Sequence, residues 1–449
     1  MSRLHSNPED GFVSASPGQP SRSLLRTPDF LKLWIGQTVS VFGSQVTILA
    51  VPILAALTLK VSPFEFGLLT TIEFLPVVIL SLPAGVWVDR LPRRPILIWS
   101  DLVRSISLLS IPIAFVLNAL TIWQLYVVVF VNGCLTVFFD VAYQSYLPSI
   151  VERKQLVDGN AKLELTRQSS QRLGPGLAGV LIGVLTAPFA ILIDAISFAV
   201  SAVFVSLIRR AEPPPEPHDE ATGPRQSMRA EVVVGLRYVM GHRVLRSLAL
   251  TVAIGNLFGN LADSILILFL VTERHFTAAS IGLAFTIGSV GVIAGSLLTS
   301  PLTKLVRVGP MVILASVGSS LAWLPIALAP DSLLFPALTA TIVALSFEGV
   351  IWNVNAMSLR QAITPPRLRG RMNATMRFIS WGTIPIGATL GGLLGGLIGL
   401  HNTIWVGALG ALFAFVPVLL SPIRHIRKMP ETDDDTPSAG ATEAEAAGA

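Results

Sequence analysis

Two carboxylates stand inside long apolar stretches of the chain, Glu73 in "GLLTTIEFLPVVIL" and Asp194 in "FAILIDAISFAV". A charge at the centre of a bilayer costs at least about 2.5–3.5 kcal/mol, so each acid needs a reason to be there. Burial disfavours the ionised form, so an acid whose access to water alternates can bind a proton on one side and release it on the other. We therefore interpret Glu73 and Asp194 as proton-coupling candidates. Permanent pairing with an arginine or a helix end is the alternative for both.

Arg172 is a candidate counter-charge for these acids and lies near the middle of a third apolar stretch. It can neutralise Glu73 or Asp194, which is the favoured interpretation, or bind an anionic group of a substrate. Asp101 and Arg104 are three positions apart and share one face of a helix. We predict that these two neutralise each other, and we leave them outside the site.

Polar side chains at helical spacing mark three other apolar stretches and can line a central cavity. They are Gln37, Ser40, Ser44 and Thr47 in the first, Asn256, Asn260 and Asp263 in the seventh, and Glu348, Trp352, Asn353 and Asn355 in the tenth. Hydrogen bonding between helices explains the first two groups equally well, and Trp352 can equally be core packing. Few fixed charges among much apolar surface favour an amphiphilic small molecule over a phosphate or a sugar.

The composition excludes a string of soluble domains. Of the 449 residues, 52% are hydrophobic and 13% are charged, about half of the ~25% usual in soluble domains. A single cysteine, Cys134, excludes a disulfide framework and a cysteine-based zinc site, and the six scattered histidines make a metal cluster unexpected. No phosphate-binding glycine loop of the ATPase type occurs. We therefore predict no metal and no cofactor, and we do not expect an enzyme.

Twelve apolar runs are long enough to span a bilayer as helices, which takes about 20 residues each. Because they are continuous rather than alternating, a closed β-barrel is excluded, and the prediction is an all-α membrane protein with two six-helix bundles. The expected parts are a disordered cytoplasmic N-terminus (1–28), a first bundle (29–208), a cytoplasmic linker (209–245), a second bundle (246–424) and a disordered acidic tail (425–449). A surface helix is expected near 228–242 in the linker.

The distribution of Lys and Arg predicts the orientation of the chain. The links assigned to the outside hold only Lys60 and Arg274, and the remaining 30 of the 32 basic residues lie on the other side or near it. Both termini and the linker are therefore expected in the cytoplasm, as in a bacterial plasma membrane. The net charge of +5 is explained as this topology signal, so no nucleic-acid partner is expected.

The two halves show an internal repeat with an offset of 213 positions. It relates Asn160–Ala161 to Asn373–Ala374, and it also relates three glycine pairs on the fifth helix of each half. These pairs are Gly174 with Gly387, Gly179 with Gly392, and Gly183 with Gly396.

The link after the second helix, "GVWVDRLPRR", carries a signature. Its matching residues are Gly85, Asp89, Arg90, Arg93 and Arg94, with Pro92 where a second glycine is usual. The pattern and its position resemble the major facilitator superfamily of transporters. The resemblance implies that this link locks the cytoplasmic side when the transporter opens outward, with the Asp capping a helix and the arginines pairing with acids. Asp140 is the candidate partner of Arg90 or Arg93.

The fifth helix contains "RLGPGLAG", in which Gly174, Pro175 and Gly179 resemble a motif of drug:proton antiporters, with Ala178 replacing one glycine. Close packing of helices through small residues is the alternative explanation. Longer stretches resemble the branch of enterobactin exporters and macrolide efflux proteins. They are "GQTVSVFGSQVTILAVP", "TIEFLP", "IDAISFAVSA" and "RQAITPPRLRGRMNATMRFISWGTIPIGA".

The resemblance implies the twelve-helix major facilitator fold and a monomeric, proton-coupled exporter of small amphiphilic compounds that works by alternating access. Its partners are then a small-molecule substrate, protons and the lipid bilayer. Two alternatives stay open, namely a uniporter or importer of a metabolite, and a membrane scaffold or receptor that transports nothing.

The charge distribution generates a first prediction. Tags at Ser2 and Ala449, and a cysteine placed within 213–225 of a variant lacking Cys134, should be inaccessible from outside intact cells. Cysteines beside Lys60 or Arg274 should react with a membrane-impermeant thiol reagent. Labelling of the linker from outside would overturn the orientation.

Overall fold

The computed structural model describes residue 24 and residues 27–88, 90–210, 212 and 228–426, without the side chains of residues 82, 86, 153 and 228–232. All regular structure in this part of the chain is helical. Asp89, residues 211 and 213–227 of the linker, most of the N-terminal segment and nearly all of the acidic tail lie outside the described residues.

The first half folds into six long helices. They are α1 (Pro28–Leu57), α2 (Pro63–Val88), α3 (Arg93–Val116), α4 (Ile122–Ile150), α5 (Leu156–Leu185) and α6 (Ala187–Ser206). Within this N-bundle, α6 packs against α1 and α3, and α4 packs against α2 and α3. Polar caps start two of the helices. Ser62 and Glu65 exchange hydrogen bonds with each other's backbone N–H groups at α2, and Thr121 accepts from the N–H of Gln124 at α4.

The second half repeats this plan after a short, mostly exposed helix, α7 (Met228–Gly241), which packs on α13. Three of its six predicted spans are interrupted rather than continuous. The C-bundle comprises α8 (Arg243–Leu268) with a π-helical turn (Phe269–Glu273), α9 (Ala278–Val306), α10 (Val308–Leu321) with α11 (Leu324–Leu328), α12 (Leu334–Ala362), α13 (Pro366–Ile398), and α14 (Leu400–Ala411) with α15 (Val416–Leu419).

Eleven helical segments of the described residues are long and apolar enough to cross a membrane, with mean hydropathies of 1.3 to 2.2 in their best windows. The remaining long helix, α5, has 30 residues and lies between α1 and α9. Its first 17 residues are less apolar than the other spans because they carry five charged side chains. They are Asp158, Lys162, Glu164, Arg167 and Arg172.

Backbone geometry follows the internal repeat. Thr186 links α5 directly to α6 at φ 67° and ψ 161°, and Gly399 links α13 to α14 at φ 86° and ψ 159°. These two residues are separated by the same 213 positions as Gly174 and Gly387. Arg307, between α9 and α10, has a similar conformation at φ 78° and ψ 160°. Sharp helix-to-helix turns of one shape therefore recur in both halves.

The apolar core is continuous on one side of the molecule and divided on the other. We call the side where α1 begins and α15 ends the terminal side, and the opposite side the far side. On the far side one cluster joins both bundles, including Leu54 and Phe66 from the first and Ile265 and Ile281 from the second. On the terminal side separate clusters fill each bundle, one around Tyr146 and another around residues such as Leu245 and Met372.

Glycines bring the backbones of the two bundles together on the far side. A Cβ atom added at Gly67 of α2 would lie 2.5 Å from the carbonyl oxygen of Ala388 and 2.7 Å from the Cα of Gly392, both on α13. The second contact joins α5 to α9, where a Cβ at Gly179 would lie 2.5 Å from the carbonyl oxygen of Ala278. We call these two contacts the far-side seal. The internal repeat relates these two contacts to each other. The fifth helix is α5 in the first half and α13 in the second, and the second helix is α2 in the first half and α9 in the second.

The far-side seal generates a second prediction. Gly179→Ala should push α5 from α9 and depopulate the conformation described here, because overpacking costs about 1–3 kcal/mol, roughly a tenfold change or more in population. A cysteine replacing Ala374, on the terminal side of the bundle interface, reports the change as slower labelling in a background without Cys134.

Gly183→Ala is the matched control, because it lies on the same helix and a Cβ there meets nothing within 4 Å. Equal labelling rates in the two variants would show that the seal does not set the conformation.

Candidate functional site

A cavity of about 870 Å³ separates the two bundles on the terminal side. We call it the inter-bundle cavity. Its walls come from α1, α2, α4 and α5 of the N-bundle and from α13 of the C-bundle. Polar and aromatic residues on these walls include Gln37, Ser81, Thr136, Asp140, Tyr143, Gln144, Asn160, Glu164, Arg167, Arg377, Phe378 and Trp381.

Unused hydrogen-bonding groups face this cavity. The Oε1 atom of Gln37 and the hydroxyl of Tyr143 are buried and bond to no described residue. Among the charged groups of the wall, Arg167 pairs with Glu164 at 2.7 Å, and the Arg377 guanidinium lies 5.6 Å from the ring centroid of Trp381. A buried polar group without a partner is costly, so Gln37 and Tyr143 are ready to bond to a ligand or to water.

A second cavity of about 630 Å³ lies within the C-bundle, between α8, α10, α12, α13 and α14. We call it the C-bundle cavity. Five of the residues predicted from sequence line it, namely Asn256, Asn260, Asp263, Trp352 and Asn353. Trp323, Arg360 and four serines complete much of its polar and aromatic lining. Trp381 lines both cavities, so the indole forms a shared boundary between them.

The polar stripe of α8, Asn256, Asn260 and Asp263, both bonds to a neighbouring helix and lines a cavity. These are the two roles that its spacing left open. The side-chain amide of Asn256 donates to the carbonyl oxygen of Ser380 on α13 at 2.8 Å, and Asn260 donates to the backbone of Asn256 at 2.7 Å. Asp263 makes no hydrogen bond or ion pair with any described residue. The stripe therefore ties α8 to α13 and also leaves one carboxylate free on the cavity wall.

Other predicted residues do not line either cavity. The Ser44 hydroxyl bonds back to its own helix at Ser40, and Glu348 packs against Gly318 of α10. Arg172 pairs with neither Glu73 nor Asp194, and its buried Nε atom has no partner within the described part of the chain. The favoured interpretation of Arg172 as a counter-charge to these acids is therefore wrong in this conformation.

The two coupling candidates have different surroundings. Glu73 is half-buried on α2 and forms no hydrogen bond or ion pair with the described residues. Asp194 is 1% exposed and contacts the hydroxyls of Thr47 on α1 and Ser197 on α6, at 2.5 and 3.0 Å. The α1–α6 contact is close at this point, because a Cβ added at Gly43 would lie 2.7 Å from the Asp194 carboxylate.

A family model described as transmembrane secretion effector matches residues 20–445, nearly the whole chain. The chain belongs to this family of the major facilitator superfamily. It is therefore a multi-pass membrane transporter that handles small molecules, and not an enzyme. This confirms the superfamily and the fold inferred from "GVWVDRLPRR" and the twelve apolar runs.

The transporter is similar to efflux proteins along most of its length. It is 23% identical over 423 residues to the enterobactin exporter EntS of Citrobacter koseri, covering 92% of this chain and 97% of that protein. It is 26% identical over 414 residues to macrolide efflux protein A of Streptococcus pyogenes, covering 89% and 97%. These two relatives confirm the predicted branch.

Its fold is also that of a bacterial homologue of the iron transporter ferroportin solved in an inward-facing state. That match has a TM-score of 0.66 at 19% identity, and it covers 89% of this chain and 99% of that one.

The signature link of the transporter is tied to the end of α6. The carboxylate of Glu212 accepts hydrogen bonds from the backbone N–H groups of Arg93 and Arg94, at 2.8 and 3.1 Å, and pairs with the Arg93 guanidinium at 3.5 Å. The Arg94 guanidinium donates to the carbonyl oxygen of Ser206. An acid at a helix N-terminus and a cation at a helix C-terminus both complement the helix dipoles.

Asp140 is therefore not the partner of Arg93 in this conformation. It lies on the wall of the inter-bundle cavity, where Arg104 and Arg167 are the cations that act on it electrostatically. Arg90 is exposed and pairs with no described acid, and Gly85 has open space around it. The role predicted for Asp89 falls outside the described residues.

The glycines of the α5 motif pack in two directions. A Cβ at Gly174 would collide with Gln45 of α1, within the N-bundle. Pro175 and Gly179 meet α9 of the C-bundle, because a Cβ at Gly282 would collide with the Pro175 carbonyl oxygen. Close packing thus accounts for all three residues, and it forms half of the far-side seal.

Sequence reasoning missed Glu212, Tyr143, Arg377 and Trp381. Glu212 follows two arginines at the start of a proline-rich segment, so it reads as part of a linker. An acid immediately after a transmembrane helix, opposite a basic link, is the signal that points to a helix cap. Tyr143, Arg377 and Trp381 do not belong to a row of polar residues at helical spacing, which was the pattern used to predict cavity residues.

The contacts of Glu212 with the signature link generate a third prediction. Arg93→Ala and Asp89→Asn should lower turnover without affecting membrane insertion, because the signature link acts on the conformational equilibrium. Glu212→Gln should weaken the cap of α3 by about 1 kcal/mol and lower turnover by a similar factor to Arg93→Ala. Turnover per inserted molecule and thermal stability in detergent measure both effects.

The double variant Arg93→Ala/Glu212→Gln should be no worse than the more severe single variant, since one interaction is removed. Lys154→Ala is the control, because its pair with Glu152 is exposed and contributes little. Additive losses in the double variant would mean that Arg93 and Glu212 act separately.

Proposed function

We propose that the transporter exports small amphiphilic compounds in exchange for protons. The observation that carries this proposal is the pair of adjoining cavities, which are lined by polar and aromatic side chains. On the far side of these cavities the two bundles are in contact. A substrate can enter such a site from the terminal side only, and it can leave to the far side once the seal opens.

We propose that the terminal side is cytoplasmic and that the conformation described above is inward-facing. The excess of Lys and Arg in the termini and links of that side supports the assignment. The names of the relatives support export, since one is an enterobactin exporter and the other a macrolide efflux protein. One chain encloses both cavities, so we propose that a monomer is sufficient for transport. We propose no nucleic-acid partner.

The lining of the cavities supports an amphiphilic substrate. Trp323, Trp352 and Trp381 supply broad apolar faces, and Gln37 and Tyr143 supply polar atoms that lack partners. Ligand sites of this kind are mostly apolar, with a few polar groups that fix orientation. Antibiotics, other drugs and siderophores fit this description, and we propose a member of these classes as the substrate.

Proton coupling is supported by acids in the membrane-spanning helices that have no permanent cation partner. Glu73 has neither a hydrogen bond nor an ion pair among the described residues, and Asp194 is held by hydroxyls. An acid that is not fixed in its ionised form can change protonation when its access to water changes. We propose these two as the coupling candidates.

Transport into everted membrane vesicles tests the proposed function and generates a fourth prediction. An outward-directed proton gradient, acid inside the vesicle, should drive uphill accumulation of at least one compound from a panel of antibiotics, dyes and siderophores. Vesicles without the transporter, and vesicles treated with a protonophore, are the controls. Accumulation that survives the protonophore would exclude proton coupling.

Neutral substitutions identify the coupling acid in the same assay. Glu73→Gln and Asp194→Asn each mimic a permanently protonated acid, so the variant that removes the coupling site should bind substrate and catalyse downhill exchange but lose uphill accumulation. If both variants accumulate substrate as the parent does, the proton is bound outside the N-bundle candidates.

A further inference from the structure

Three charged side chains form a buried seam between α3 and α6 of the N-bundle. Asp101, Arg104 and Asp194 are 0%, 4% and 1% exposed. Asp101 is paired with Arg104, and both act electrostatically on Asp194. The Arg104 guanidinium lies between the rings of Phe139 and Phe198, with its carbon 4.5 and 4.1 Å from their centroids. We call Asp101, Arg104 and Asp194 the charged seam.

The seam holds two acids and a single cation. Among the described residues of the elements packed around it, Arg104 is the one cation that acts on Asp194. Thr47 of α1 and Ser197 of α6 are neutral hydroxyls. Asp140 of α4 adds a further negative charge near Arg104, and Arg167 of α5, which also acts on Asp140, is already paired with Glu164. Glu73 of α2 makes no hydrogen bond with the Asp194 carboxylate, whose bonds are to Thr47 and Ser197. With all three groups ionised, the seam would carry an uncompensated negative charge away from bulk water, which is unfavourable.

Neutral hydroxyls, and no cation, bond directly to the Asp194 carboxyl group: the Thr47 hydroxyl donates to Oδ2 at 2.5 Å and the Ser197 hydroxyl to Oδ1 at 3.0 Å. The Ser197 hydroxyl has one proton to donate, yet it lies 2.8 Å from the Asp194 carbonyl oxygen and 3.0 Å from the carboxyl Oδ1. Because this one proton is shared between two acceptor oxygens, Ser197 stabilises an ionised Asp194 less than the guanidinium of Arg104 stabilises Asp101. Asp101, by contrast, is bound to the guanidinium through Oδ1, and the Ser201 hydroxyl of α6 lies beside the same carboxylate.

A route joins the seam to the inter-bundle cavity. The Arg104 Nη1 atom donates to the Thr136 hydroxyl at 3.3 Å, and Thr136 lines that cavity. The seam is therefore one hydroxyl away from water on the terminal side. The Ser105 hydroxyl, which donates to the Ala195 carbonyl at 2.6 Å, fixes α3 against α6 beside the seam.

We propose that the charged seam binds one proton, held on Asp194 while Asp101 holds Arg104, and that Arg104 is the positioning residue that determines which acid is ionised. Release of the proton to cavity water leaves Arg104 shared between two carboxylates, and rebinding restores the pair seen here. This proposal rests on the proposed function, and it selects Asp194 over Glu73 as the coupling acid.

Infrared difference spectroscopy of the purified full-length transporter tests the proposal without any transport. The protonated-carboxyl band of Asp194→Asn is expected to be smaller than that of the parent protein at neutral pH. We call this difference in band area, which corresponds to one protonated carboxyl group, one unit. Asp101→Asn should also lose one unit, because the freed Arg104 then ionises Asp194. Arg104→Gln should gain one unit, because both acids then need a proton. Asp101→Asn/Arg104→Gln should match the parent protein, since Asp194 alone remains protonated.

Each result decides the proposal. An unchanged band in Asp194→Asn overturns it, because Asp194 then holds no proton. An unchanged band in both Asp101→Asn and Arg104→Gln also overturns it, because the pair is then only structural. If the single variants of the pair do not fold, the double variant is compared with a triple variant that adds Asp194→Asn, and a loss of one unit supports the proposal while no loss overturns it.

The vesicle assay separates this proposal from the proposed function. Failure of the parent transporter to use a proton gradient would reject proton-coupled export and leave the infrared result standing. Gradient-driven export combined with an unchanged Asp194→Asn band would reject the charged seam alone.

Discussion

Contact between the backbones of the two bundles on the far side determines the rest of the architecture. No hydrophobic driving force acts between two apolar helices in a lipid bilayer, so their association depends on close packing. Glycine at positions 67, 179, 282 and 392 permits that approach, and any Cβ there would meet backbone atoms of the other bundle. Once the bundles are joined on the far side, the apolar core divides on the terminal side. The cavities occupy the division.

The polar groups of the membrane-spanning region fall into distinct classes. Most serines and threonines bond to a carbonyl of their own helix, as Ser316 and Thr339 do. A few tie neighbouring helices together, such as the Trp34 indole, which donates to the Thr166 hydroxyl at 2.9 Å. The partnerless groups Gln37, Tyr143 and Asp263 lie on cavity walls. Part of the hydrogen-bonding capacity that the fold leaves unused therefore faces the cavities, where a substrate would be.

The number and order of the helices could be predicted from sequence because apolar length and charge asymmetry are local properties. The stripe of Asn256, Asn260 and Asp263 was predictable for the same reason, since helical spacing places these residues on one face. Contacts between distant segments were not predictable. The spacing of Asp101 and Arg104 predicts their pairing, but it says nothing about Asp194, which α6 brings beside them. The cap that Glu212 provides for α3 likewise depends on how α6 ends.

The turn at Thr186 has a consequence for stability. Its backbone at φ 67° and ψ 161° lies in a region that essentially only glycine populates, and such a residue costs about 1–3 kcal/mol. The repeat partner, Gly399, adopts the same shape without that cost. Arg307, between α9 and α10, has a similar backbone conformation and a similar conformational cost. Two of the three matching turns are therefore conformationally strained, and glycine at either position offers a direct route to a more heat-resistant transporter for purification.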